Sequence, residues 1–125
     1  MATTVQSRKQ KGRILQQWVR DILLSLYEHL EQDDILSTGM GQSGEDLLLS
    51  PFARKSIPLS IECKNQEKLN IWEAYEQAKS NAKQYQPIVV FKKNHKKPLV
   101  AVDAEYFFDL LKNQKSDINP ETDLQ

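Results

Sequence analysis

The chain has very little of the residues that build disulfide frameworks and zinc clusters. Its 125 residues contain one cysteine, Cys63, and two histidines. An internal disulfide is therefore excluded, and one cysteine with two histidines cannot assemble a cysteine and histidine zinc cluster. If the protein binds a metal ion, we expect oxygen atoms to hold it.

Long apolar runs are also missing. No stretch approaches the roughly eighteen apolar residues of a membrane span, and the polar start, MATTVQSRKQKGR, lacks the apolar centre of a secretory signal. We therefore expect a soluble protein in the cytoplasm. A chain of 125 residues with 39% hydrophobic content suits one domain with a modest core.

Neither sign of charge dominates, because 17 basic and 17 acidic residues cancel to a net charge of zero. The sum gives no support to nucleic-acid binding, but the cations are segregated into two blocks. These are a basic beginning with Arg8, Lys9, Lys11, Arg13 and Arg20, and the later run KKNHKK with Lys92, Lys93, Lys96 and Lys97. Two solvated charged segments would have the same composition, so both interpretations stay open.

The first part of the chain predicts a long amphipathic helix. From Gly12 to Leu36 there is no proline and no further glycine. Apolar residues recur there at helical spacing: Leu15, Trp18, Val19, Ile22, Leu26 and Leu30. Gln16 lies at the edge of this apolar stripe and could face an interior cleft, whereas Gln17 points nearly opposite and should face water.

The middle of the chain predicts a loop and two strands. STGMGQSG, residues 37–44, is typical of a loop, and it leads into the short apolar run LLL with Asp46 at the strand entry. SPFARKS predicts a turn or irregular connection. In the next strand Ile57, Leu59, Ile61 and Cys63 alternate with Pro58, Ser60, Glu62 and Lys64. The apolar set can pack on a helix while Glu62 and Lys64 project together from the other face.

The rest of the chain predicts a helix that ends near Pro87, the strand PIVVF, a turn at KKNHKK, the antiparallel partner PLVAV and the short helix AEYFFDLLKN. The order of elements predicts a single α/β or α+β domain, with a mixed central β-sheet flanked by helices. We expect this domain over residues 1–115, with a flexible basic stretch at 1–11 and a disordered tail at 116–125.

Asp46, Glu62 and Lys64 carry the clearest chemistry. Mg²⁺ prefers oxygen ligands and is commonly held by one or two carboxylates with substrate phosphate oxygens, and the backbone carbonyl of Cys63 could add a third ligand. The metal would polarise a phosphate and Lys64 could orient the attacking water, which implies phosphodiester hydrolysis. The alternative is a solvent-facing strand whose glutamate and lysine keep the sheet soluble.

The same motifs resemble a known family. The helix with KGRILQQ, the GED at residues 44–46, the strand IECK at residues 61–64 and the helix that follows are similar to the core of the PD-(D/E)xK nucleases. More narrowly, they resemble the archaeal-type and phage-encoded Holliday junction resolvases, over about residues 8–112. The resemblance implies a restriction-endonuclease-like core in which Asp46 and Glu62 bind Mg²⁺ or Mn²⁺ and Lys64 is the catalytic lysine. It further implies a homodimer that cuts four-way DNA junctions, and it suggests a phage-encoded enzyme acting in the cytoplasm of the host cell.

One position departs from the family pattern. The resolvases usually carry a glutamate on the first helix, four residues after a KG pair, and that position here is Gln16. An amide can coordinate through its carbonyl oxygen or hold a metal-bound water, but it lacks the charge that favours a second cation. We expect Gln16 to alter the number of bound ions without abolishing activity. A plain boundary residue of an amphipathic helix is the alternative.

Several residues complete the candidate site. Junction DNA presents phosphates over a wide surface, which the basic blocks could contact without reading sequence. The predicted DNA contacts are Arg8, Lys9, Lys11, Arg13, Ser43, Lys92, Lys93, Lys96 and Lys97. Ser43 could equally be a turn residue, and Gln77 could point to the site or to solvent.

The sequence leaves the roles of other residues and two further functions open. Alternation should turn Glu45 away from Asp46. Trp72 and the cluster at residues 106–108 suit a core or a dimer contact better than base stacking. A nuclease of the same fold that acts on duplex or nicked DNA stays open, as does a non-catalytic DNA-binding protein.

Overall fold

The computed structural model describes residues 5–38 and 44–116. Within these two ranges there are four α-helices and five β-strands. In chain order they are α1 (Val5–Leu26), β1 (Ile35–Ser37), β2 (Leu47–Leu49), α2 (Pro51–Ser56), β3 (Leu59–Asn65), α3 (Ile71–Asn81), β4 (Gln86–Lys92), β5 (Leu99–Val102) and α4 (Ala104–Ser116). None of these helices is both long and apolar enough to cross a membrane.

The strands form a mixed sheet and a separate hairpin. The sheet has the order β3-β4-β5, in which β3 is parallel to β4 and β4 is antiparallel to β5. The hairpin pairs β1 with β2, with Ile35 opposite Leu49. It adjoins the outer edge of β3, where the Asp46 N–H donates to the Ile61 carbonyl at 3.2 Å. The predicted α/β class with a mixed sheet is confirmed.

Helices cover both faces of β3. On one face Leu15 and Val19 of α1 are buried in a cluster with Ile61, Cys63 and Val90. On the opposite face α3 packs Ala74 and Ala78 against Val89. The alternation predicted for β3 therefore identifies correctly the face of the strand that packs on α1. Its other face lies under α3 and is not solvated, as the burial of Ser60 and Glu62 demonstrates.

The prediction for the first helix was wrong at both ends. The helix begins at Val5, so residues 5–11 are helical where we expected a flexible stretch, and it ends at Leu26 rather than near Leu36. Leu30 is buried from a turn outside the helix, so it extends the apolar periodicity past the helix end. Residues 35–37, which come after this turn, form β1, because Ile35 pairs with Leu49 and Leu36 pairs with Leu48. These partners come more than ten positions later in the chain.

The segment before β3 is helical, and the later elements are close to those predicted. SPFARKS contains the helix α2 and is not irregular, since the Ser50 hydroxyl caps it by accepting from the Ala53 N–H at 3.0 Å and proline suits the first helical position. The strand LLL and the β4-β5 hairpin are found as predicted, and α3 is present but ends at Asn81 rather than near Pro87, which lies in β4. Ser43 and residues 117–125 of the predicted tail lie outside the described residues.

Candidate metal and nucleic-acid site

Two hydrogen bonds, to the residues immediately before and after Glu62, fix Asp46 beside β3. Its backbone N–H donates to the Ile61 carbonyl, and its Oδ2 accepts the Cys63 N–H at 2.7 Å. A third bond, from the Thr38 N–H to the Asp46 carbonyl at 3.0 Å, ties the same residue to the end of β1. The acid is thus held between the hairpin and the sheet.

Glu62 is a buried carboxylate with a dedicated partner. Its relative exposure is 3%, and its Oε1 accepts from Asn81 Nδ2 at 3.0 Å. Asn81 ends α3 and also donates to the Gly44 carbonyl at 3.4 Å. Asn81 therefore links α3, the loop before β2 and the carboxylate.

The two carboxylates repel each other at close range. Burial, and next the negative charge of Asp46, raise the pKa of Glu62 from 4.5 to about 7. The Asn81 bond and the positive charge of Lys64 act in the opposite direction. A divalent cation between the two acids would offset both the burial and the repulsion, because a bound cation favours the ionised form of a neighbouring carboxyl.

Lys64 and the Cys63 carbonyl lie on the same stretch of β3. Lys64 has the same parity as Glu62, so it projects from the same face, and it is half-buried. The Cys63 N–H points to the edge of β3 where Asp46 lies. Because the N–H and C=O of one strand residue point to the same edge, the Cys63 carbonyl also points towards Asp46. The burial of Cys63 raises the pKa of its thiol, so we assign no reactivity to the sulfur.

Gln16 is fully buried, at 0% exposure, and is only partly satisfied. Its Oε1 accepts a hydrogen bond from the Ser37 hydroxyl, while its Nε2 is buried without a partner among the described residues. Ser37 pairs with Leu47, the residue next to Asp46. The amide therefore reaches β1, the strand paired with the one that Asp46 precedes, and its unpaired nitrogen marks a place where polar contacts are incomplete.

A buried ion pair supports the entry to β2. Arg54 of α2 binds both carboxylate oxygens of Glu45 at 2.7 and 2.8 Å, donates to the Leu59 carbonyl at 2.6 Å and lies over the Tyr85 ring at 4.2 Å. Glu45, the residue before Asp46, is thereby turned to Arg54, and the ion pair fixes it beside the sheet.

The two basic blocks meet at one end of the molecule. Asn65, at the end of β3, donates to the Lys11 carbonyl at 3.4 Å and lies opposite Lys92 in the sheet register. Arg8, Lys9 and Arg13 are exposed on this half of α1, and Lys93, Lys96 and Lys97 are exposed in the β4-β5 turn. This basic end adjoins the part of β3 that carries Lys64.

An acidic turn with Glu31, Asp33 and Asp34 follows the other end of α1. Because a 22-residue helix is roughly 33 Å long, this turn is well separated from the basic end. A net charge of zero therefore conceals local concentrations of charge of each sign.

Sequence reasoning missed some residues of the site and misjudged others. Asn81 contacts Glu62, whereas Gln77, one turn earlier on α3, is exposed. Gln77 and Asn81 are four positions apart and therefore lie on the same face of α3, and this spacing was the sequence signal that could have identified Asn81. Trp72 is 79% exposed, so it is not a core residue.

The residues present fit a hard divalent cation with few protein ligands. In residues 5–38 and 44–116 no group of three or more histidine, cysteine, aspartate and glutamate side chains could hold a metal. Two carboxylates with the Cys63 carbonyl are nevertheless a sufficient oxygen set for Mg²⁺, which keeps several waters. The Gln16 oxygen accepts the Ser37 hydrogen bond, so the amide would have to rotate to offer a further neutral oxygen.

Comparison of the chain with protein-family models, with curated proteins and with solved structures gives no match.

Proposed function

We propose that the protein is a Mg²⁺- or Mn²⁺-dependent endonuclease that hydrolyses phosphodiester bonds in four-way or branched DNA, on a PD-(D/E)xK nuclease core. The observation that supports this most is the buried Glu62 beside Asp46, with Lys64 on the same face of β3. A buried carboxylate beside a second carboxylate is unfavourable without a counter-charge, and a cation bound between the two acids would supply that charge.

Each residue has a separate task in this proposal. Asp46, Glu62 and the Cys63 carbonyl would hold the ion, which when bound supplies polarisation of a phosphate and a lower pKa for a water molecule. Lys64 would orient that water or offset negative charge that develops on the phosphate. Asn81 fixes the Glu62 carboxylate, so it acts as a positioning residue.

The charge distribution supports nucleic acid as the substrate. The basic end adjoins the strand with the acid pair, so a DNA backbone that contacts it would pass close to the scissile position. Lysine and arginine contacts to phosphate give affinity that is independent of sequence and strongly dependent on salt. Such contacts suit recognition by shape, and a two-fold junction would need two copies of the site, hence a homodimer.

The test compares active-site variants with matched controls. Lys64→Ala and Asp46→Asn should lower the rate of junction cleavage at least about 100-fold, while binding of the junction measured in Ca²⁺ changes only a few-fold. Lys68→Ala and Asp33→Asn, which change exposed residues of the same types, should leave both quantities unchanged. If the variants lost cleavage only to the extent that they lost junction binding, the roles assigned to Lys64 and Asp46 would be contradicted.

A further inference from the structure

A row of apolar side chains on α4 faces solvent. Phe107, Phe108, Leu110 and Leu111 are between 44% and 63% exposed, and at about 100° per residue they fall on one side of the helix. We call these four residues the α4 stripe. Contiguous exposed apolar patches on soluble proteins usually mark a binding surface.

The area of the α4 stripe is close to what a dimer needs. With roughly 200 Å² for a fully exposed large apolar side chain, the observed fractions leave roughly 400 Å² of apolar surface in water. A standard interface buries about 800 Å² per partner, of which somewhat more than half is apolar. The α4 stripe would thus supply most of the apolar part of such an interface.

The charges beside the α4 stripe are self-complementary. Glu105 and Lys112 are seven residues apart, so they lie on the same side of the helix, on the flank that Phe108 forms, and they face a partner when Phe108 and Leu111 lie at the centre of the contact. When two copies of a helix associate antiparallel about a two-fold axis, residues on the same flank face each other. Glu105 of one copy then lies across from Lys112 of the other, twice per dimer.

Other apolar surfaces and segments do not combine a large apolar area with self-complementary charges. Exposed Ile14, Trp18 and Ile22 form a second row on α1, but no two oppositely charged residues of that helix are seven positions apart, and Arg13 and Arg20 would place like charges together. Residues 117–125 contain only Ile118 and Leu124 as large apolar side chains. They offer too little apolar surface to cover the α4 stripe.

We infer that the α4 stripe is the contact between two copies of this chain, which pair α4 antiparallel about a two-fold axis with Glu105 opposite Lys112. The inference deepens the proposed function by naming the surface that would bring two active sites together, and only its use for junction cutting rests on that function. The pairing itself follows from the exposed side chains and their charges.

The test is sedimentation velocity of the full chain over a range of concentrations without DNA. Wild type should be dimeric at micromolar concentration. Glu105→Lys and Lys112→Glu should each raise the dimer dissociation constant at least about tenfold, because each places like charges opposite each other. The double variant should restore the wild-type constant, which loss of folding could not explain.

Matched apolar changes complete the test. Phe108→Gln should abolish the dimer, whereas Trp72→Gln, at another exposed aromatic residue, should not affect it. A wild type that is monomeric at every concentration would overturn the inference and leave the α4 stripe for a different partner. A dimer that is insensitive to Glu105→Lys and Phe108→Gln would overturn it as well. A dimer that cuts no DNA would contradict the proposed function alone.

Discussion

Replacing Glu62 with glutamine should stabilise the metal-free protein at neutral and higher pH. The side chain is buried, and burial with the charge of Asp46 raises its pKa from 4.5 to about 7. A shift of this size corresponds to up to about 3 kcal/mol of unfolding free energy. Glutamine has nearly the same shape, and its carbonyl oxygen can still accept the hydrogen bond from Asn81.

The sign of the pH dependence follows from linkage. The folded state holds the Glu62 proton more tightly than the unfolded state, so between pH 4.5 and about 7 the folded state binds more protons. Stability contributed by this residue is therefore fully present below pH 4.5 and is lost as the pH rises through about 7. Glu62→Gln does not ionise, so it should match the wild type at pH 4 and exceed it at pH 8.

The assay is urea unfolding in EDTA at several pH values, followed by circular dichroism. Glu73→Gln, on the exposed face of α3, is the matched control and should change stability by less than about 0.5 kcal/mol. Adding Mg²⁺ should stabilise the wild type at pH 8 but not Glu62→Gln. A variant that is less stable than the wild type at pH 8, or a difference independent of pH, would refute the reasoning.

Two further predictions concern the ion pair of Glu45 with Arg54, which supports the site, and the glutamine at position 16, where the similar nucleases usually carry a glutamate. Arg54→Met should lower the unfolding free energy by about 3 to 5 kcal/mol, because it leaves the Glu45 carboxylate buried without its partner. Adding Glu45→Gln should recover most of that loss in the same urea experiment, and a double variant no more stable than the single one would contradict this. Gln16→Glu should raise Mn²⁺ affinity on the order of tenfold in titration calorimetry, since it adds a carboxylate beside Ser37, which pairs with the residue after Asp46. Gln17→Glu, on the exposed face of α1, is the control, and equal effects of both changes would contradict a ligand role for residue 16.

The strands β2 to β5 and the existence of α3 could be predicted because their signals are local. The alternation in β3 identified the face that packs on α1, and the two runs that flank KKNHKK identified the β4-β5 hairpin. The end of α1 could not be predicted in this way. Leu30 is buried from a turn and therefore prolongs the helical period, while β1 exists only through its pairing with β2.

The candidate site was predictable in part, because some of its sequence signals are also local. Glu62 and Lys64 share a strand face by parity alone, and Asp46 stands at the entry of the preceding strand, β2, which packing brings to the edge of β3. Asn81 and Ser37 could not be assigned, because their contacts depend on how α3 and the hairpin dock on the sheet. The meeting of the two basic blocks also depends on this long-range packing, through Asn65.

The proposed function is tested most directly by incubating the purified protein with a labelled four-way DNA junction and a matched linear duplex, each with Mg²⁺ and with EDTA. We predict paired cuts in the junction that require Mg²⁺, with the duplex left intact. Cutting of both DNAs would indicate a general nuclease, and tight binding of the junction without any cutting would contradict the catalytic assignment of Asp46, Glu62 and Lys64.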